Sequence, residues 1–78
     1  MARVENIELK QRDRVQLHDP VDAGLYLFEK DGRKLIQIDT FGRDSREMPN
    51  KVSQSLQFDA KAAEQLFEYL GHHFGFKR

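Results

Sequence analysis

The stretch Leu25 to Phe41, LYLFEKDGRKLIQIDTF, decides how this chain folds. Two runs of apolar, aromatic and β-branched residues flank Asp31-Gly32, a dipeptide that signals a two-residue type I′ turn. Such a turn needs positive φ at both central positions. Glycine adopts it without a Cβ clash and aspartate tolerates it, so the stretch predicts an antiparallel hairpin. In the second strand Ile36, Ile38 and Thr40 share one face, and Leu35, Gln37, Asp39 and Phe41 share the other. The isoleucine face is the expected core face. In the first strand Leu25 and Leu27 oppose Tyr26 and Phe28, and alternation alone leaves open which pair is buried.

Beyond the hairpin, Gly42 to Lys51 reads GRDSREMPNK, a connection longer than the two to five residues common in hairpin loops. It is either a functional loop or the continuation of two long strands into a β-ribbon. Val52 to Phe58 alternates cleanly, with Val52, Gln54, Leu56 and Phe58 on one face and the uncharged Ser53, Ser55 and Gln57 on the other. Asp59 is a natural helix N-cap, because its carboxylate can accept from first-turn amides and its charge suits the positive helix end. Ala63, Leu66, Phe67, Leu70 and Phe74 then recur at helical spacing, and Gly71 is the expected end or weakened last turn of that helix.

Before the hairpin, Val4, Ile7 and Leu9, then Val15 and Leu17, predict short strands near 6–10 and 14–18. A Pro20-containing loop follows. The pattern is an α+β domain: an antiparallel sheet of four to five strands followed by one C-terminal helix on one face. It occupies residues 1–78 as a single small domain, with 1–5 and 75–78 as candidate loose ends.

A chain of 78 residues recovers only roughly 60 to 65% of its unfolded surface on folding. It contains no cysteine, so neither a disulfide nor a thiolate metal site can reinforce so thin a core, and oligomerisation is the remaining means. Aromatic side chains near the C-terminal end, Tyr69, Phe74 and Phe76, exceed what one helix over a small sheet must bury. Phe67, Tyr69, Leu70 and Phe74 are accordingly the expected dimer contacts. The segment MARVENIELK lacks the apolar centre of a leader and no run approaches the roughly 20 residues of a membrane span, so a soluble cytoplasmic protein is expected.

Catalytic chemistry finds little foothold. His72 and His73 are adjacent, about 100° apart on a helix, and do not form the one-face pair of a helical metal site. No serine lies in a nucleophile elbow, and no phosphate-binding glycine loop occurs. The expectation is a non-enzyme with no cofactor, no metal and no small-molecule substrate. Thirteen basic residues balance thirteen acidic ones, so no global basic field exists and any cationic surface must arise from placement. Tyr26, Phe28 and Phe41, with Lys30, Arg33, Lys34, Arg43, Arg46 and Lys51 around them, supply the stacking platforms and phosphate partners of single-strand binding. Glu29, Asp31, Asp39, Asp44 and Glu47 are interleaved with these cations, and in the other reading the same residues form only a solvated surface.

From Val15 the order is strand, strand, tight turn, strand, charged connection, strand, capped helix. In GRKLIQIDTF, in Pro49-Asn50-Lys51 leading into KVSQSLQF, and in DAKAAEQLFEYL, the chain resembles the single-stranded-DNA-binding domain of the transcriptional coactivator positive cofactor four and its bacterial relatives. The resemblance spans roughly residues 15–74. It implies a homodimer paired through the helix region and a nucleic-acid site, by position, at Lys30, Arg33, Lys34, Phe41, Arg43, Arg46 and Lys51. The expected function is a single-stranded nucleic-acid-binding accessory factor in transcription or DNA maintenance. The alternative is a small protein-interaction or regulatory module, using the Ser53, Ser55, Gln57 face or the aromatic C-terminal end, with no nucleic-acid binding.

Overall fold

In the computed structural model, which describes residues 1–42 and 51–76, the chain forms β1 (Ala2–Val4), β2 (Ala23–Lys30), β3 (Arg33–Phe41), β4 (Val52–Asp59) and α1 (Ala60–Phe74). The four strands make one sheet in the order β1-β4-β3-β2. The central hairpin forms as expected: Lys30 pairs with Arg33, and Asp31 and Gly32 both carry positive φ, 53° and 77°. Positive φ at both positions is the backbone of a type I′ turn, whose twist matches that of the flanking strands.

The sheet is mixed rather than wholly antiparallel. β1 runs parallel to β4, with Ala2 opposite Leu56 and Val4 opposite Phe58. The strands expected near 6–10 and 14–18 are absent, and residues 5–22 carry no strand. Two features account for this. β1 already occupies the free edge of β4, and the Ile7 amide donates instead to Gln65 Oε1 on the helix at 2.8 Å, while Gln65 Nε2 donates to Asn6 Oδ1 at 3.0 Å. Leu9, Val15 and Leu17 are left in solvent. Period-two alternation signals a strand only where the segment takes up a partner edge, and residues 5–22 pair with neither outer edge of the sheet.

α1 follows β4 without a loop and covers the face carrying Ile36 and Phe58, as a shared cavity between Leu27, Ile36, Phe58, Ala60 and Ala63 shows. The helix thus lies on the isoleucine face, where Ile36 and Ile38 are half-buried, while Leu35 is buried on the opposite face. Phe58, Ala62 and Leu35 are the buried apolar residues among those described. Asp59 stands at the N-cap but makes no side-chain capping hydrogen bond. It is also the last residue of β4, opposite Leu35, and that register turns its carboxylate toward Arg3 Nε (3.5 Å) and Arg33 Nη1 (3.8 Å). Gly71 lies inside the helix, which runs on to Phe74; Gly75, at φ 72°, supplies the left-handed C-terminal turn. A helix tolerates an internal glycine at a cost of about 1 kcal/mol, whereas the left-handed position disfavours every residue with a Cβ.

The two glycines should respond in opposite senses. Gly71→Ala should raise the stability by about 0.5–1 kcal/mol, since an added Cβ meets nothing closer than the Phe76 carbonyl at 3.8 Å. Gly75→Ala should lower it by about 1–2 kcal/mol. Urea unfolding followed by circular dichroism measures both; equal effects would mean that the helix does not end at Gly75.

Candidate nucleic-acid interface

The strand register sorts the sheet into two faces. Leu25 and Leu27 stand opposite Ile38 and Ile36, which in turn oppose Leu56 and Phe58, so one face is apolar across three strands. On the other face a single row crosses all four: Arg3 of β1, Gln57 of β4, Gln37 of β3 and Tyr26 of β2. At the usual strand spacing this row is about 14 Å wide. It places a guanidinium, two carboxamides and an aromatic ring side by side, with no helix over them. The neighbouring row holds Ser55, Asp39 and Gly24.

Hydrogen bonds tie the two rows together. Gln57 Nε2 donates to Gln37 Oε1 at 2.8 Å, Gln37 Nε2 donates to Asp39 Oδ1 at 2.9 Å, and Ser55 Oγ donates to the same Oδ1 at 2.6 Å. Asp39 is buried, at 8% exposure, although it sits mid-strand on the polar face. Its charge is held by these donors, the arrangement that makes a buried carboxylate tolerable.

Gly24 has a specific role here. A Cβ at this position would lie 3.1 Å from Tyr26 Oη and 3.3 Å from Phe41 Cζ. Both rings therefore converge over bare backbone, and the aromatic surface exists because Gly24 has no side chain. A register shift between Thr40 and Phe41 shapes the same corner: Thr40 pairs with Gln54 and Phe41 with Val52, leaving Ser53 as the extra residue of a bulge. Val52 thereby leaves the series of Gln54, Leu56 and Phe58, with which alternation grouped it, and stands opposite Phe41.

The residues expected from the sequence to contact nucleic acid do not form one patch. Lys30 and Arg33 pair at the hairpin tip on the polar face, whereas Lys34 pairs with Glu29 on the opposite face. Phe41 lies at the far end, near Lys51, whose carbonyl accepts from the Gly42 amide at 3.1 Å. Arg43 and Arg46 lie outside the described residues. The acids separate similarly. Glu29 is on the apolar face, while Asp39 and Asp59 are on the polar face but engaged, Asp59 between Arg3 and Arg33.

Arg3 and Gln37 complete a surface that the sequence pointed to through Tyr26, Ser55 and Gln57. Arg3 carried no signal, because its place depends on the parallel pairing of β1. Of the expected dimer contacts, Phe67, Leu70 and Phe74 are exposed along one side of α1, while Tyr69 lies about 200° around the helix from Phe67 and belongs to a different side.

Among the described residues no group of histidine and carboxylate side chains could hold a metal ion, and no helix is long and apolar enough to cross a membrane. No family model, curated protein or solved structure matches the chain.

Removing the shared acceptor tests the polar network. Asp39→Ala leaves the Gln37 amide and the Ser55 hydroxyl without their partner and should cost about 1–3 kcal/mol of stability. Thermal and urea denaturation read this loss. An unchanged midpoint would show that solvent replaces Asp39 freely.

Proposed function

We propose that the polar face of the sheet binds single-stranded nucleic acid, and that the protein acts as a non-catalytic homodimeric accessory factor in transcription or DNA maintenance. The row Arg3–Gln57–Gln37–Tyr26, with Phe41 beside it, carries this reading. Aromatic rings stack on any unpaired base, cations meet phosphates, and the uncharged amides between them do not repel the backbone. A duplex offers no base faces to such a surface. The cysteine-free composition suits the reducing cytoplasm, where such strands occur.

The dimer rests on what the isolated chain leaves uncovered. Its accessible surface is 7545 Å², against about 4,900 Å² for a compact monomer of this mass. Its radius of gyration is 14.8 Å, against about 11.5 Å for a compact domain of this length. Part of the excess is the extended segment before β2. Another part is apolar and lies on one side: Leu25 and Leu27 are 61% and 77% exposed, and Phe67, Leu70 and Phe74 stand along the helix that packs on the same sheet face. A second copy covering that side would leave the polar face of each subunit open.

Fluorescence anisotropy with labelled single-stranded and duplex oligonucleotides at two salt concentrations tests the binding. The single strand should bind more tightly, with affinity falling as salt rises. Tyr26→Ala should weaken it by about 1–3 kcal/mol with little change in salt slope, whereas Arg3→Ala should lower the slope by roughly one. Absence of binding at micromolar protein in low salt would overturn the reading and favour a protein-interaction module. Light scattering should report a dimer for the wild type and a monomer for the double variant Phe67→Glu, Leu70→Glu. A monomeric wild type would overturn the dimer.

A further inference from the structure

The geometry points to a base-selective subsite on the polar face, in which Asp39 fixes the hydrogen-bonding polarity of Ser55, Gln37 and Gln57 so that the site favours bases bearing an exocyclic amine, cytosine and adenine, over uracil and thymine. The inference rests on the nucleic-acid reading and specifies what that surface discriminates.

A cavity of about 420 Å³ opens on this face, walled by Met1, Ala2, Arg3, Gln37, Ser55 and Gln57. It falls within the size range of small-ligand sites. The chemistry of its wall follows from one residue beneath it. A carboxylate only accepts hydrogen bonds, so both groups that reach Asp39 Oδ1 must donate. Ser55 has a single hydroxyl proton, and the 2.6 Å contact commits it to Asp39. The lone pairs left on Ser55 Oγ can then only accept.

The same carboxylate orients the amides in series. Gln37 must turn its Nε2 toward Asp39, which presents its Oε1 to Gln57, and Gln57 must then turn its own Nε2 toward Gln37. Neither amide can flip without setting a donor against a donor or an acceptor against the carboxylate. Gln57 Oε1 and the second Gln57 N–H engage nothing else among the described residues. The wall therefore offers acceptors at Ser55 Oγ and Gln57 Oε1 beside a donor at Gln57 Nε2.

Cytosine complements this pattern: its N4 amine donates to the two acceptors while N3 accepts from the Gln57 amide. Uracil carries a carbonyl where cytosine carries the amine, so its O4 would face the accept-only Ser55 Oγ. Asp39 touches no base in this arrangement and is a positioning residue. Tyr26, in the same row, remains available for a stacked neighbour, and Arg3 meets the phosphate between them by exchanging its ion pairs with Glu5 (3.1 Å) and Asp59 (3.5 Å) for it.

Oligo(dC) and oligo(dU) of equal length, which differ only at this edge of the ring, make the test, with anisotropy on the full chain as the readout. Oligo(dC) should bind at least fivefold more tightly, the lower end of the discrimination usual for a paired base edge. In Asp39→Asn the amide can donate to Ser55 and release its hydroxyl proton outward, so the ratio should fall toward one. Ser55→Ala should lower the ratio too, and its effect should persist if Asp39→Asn fails to fold. Equal binding of the two oligomers by the wild type would overturn the subsite while leaving single-strand binding intact. Failure of both to bind would overturn the underlying reading instead. An unchanged ratio in well-folded Asp39→Asn would remove the polarity mechanism.

Discussion

A two-residue turn at Asp31-Gly32 locks β2 against β3, and because strand side chains alternate with a period of two, a slip of one residue in either β3 ladder would exchange the faces of the sheet. Everything with functional meaning follows from that register. It sets Ile36 beside the helix and brings Gln37 level with Tyr26 on one side and Gln57 on the other. The one irregularity, the bulge opposite Thr40 and Phe41, comes after these pairs and re-aims only the end of the sheet.

The helix inherits its position from the same ladder. β4 passes into α1 at Asp59 without a connecting loop, so the residue that should cap the helix is oriented by a strand. Its carboxylate instead joins Arg3 and Arg33, linking β1 to the hairpin tip across the polar face. The helix covers one end of the apolar face and leaves Leu25 and Leu27 in solvent. So small a buried core, without cysteine to staple it, is the physical argument behind the proposed second subunit.

Charge neutrality, which argues against a nucleic-acid surface when read from totals, has a different meaning once the residues are placed. Of the acids interleaved with the hairpin cations, Glu29 faces the apolar side beside Lys34, and Asp39 is buried beneath donors. The polar face presents amides and rings rather than a field of either sign, with cations toward its ends. The proposed binding therefore rests on short-range stacking and hydrogen bonding more than on long-range attraction.

The sequence by itself determined the hairpin and its turn, the alternating β4, the helix and the apolar identity of the Ile36 face, because each rests on local backbone preference or on periodicity within one segment. Tertiary structure decided the rest. It drew the alternating residues 6–18 away from the sheet through the Ile7 and Asn6 contacts with Gln65, recruited Ala2–Val4 as a parallel strand, and carried the helix past Gly71 to Phe74. It also dispersed Lys30, Lys34 and Lys51 while assembling Arg3, Gln57, Gln37 and Tyr26 from four separate strands. A row across a sheet is a property of register between distant segments, and no single stretch of chain carries it.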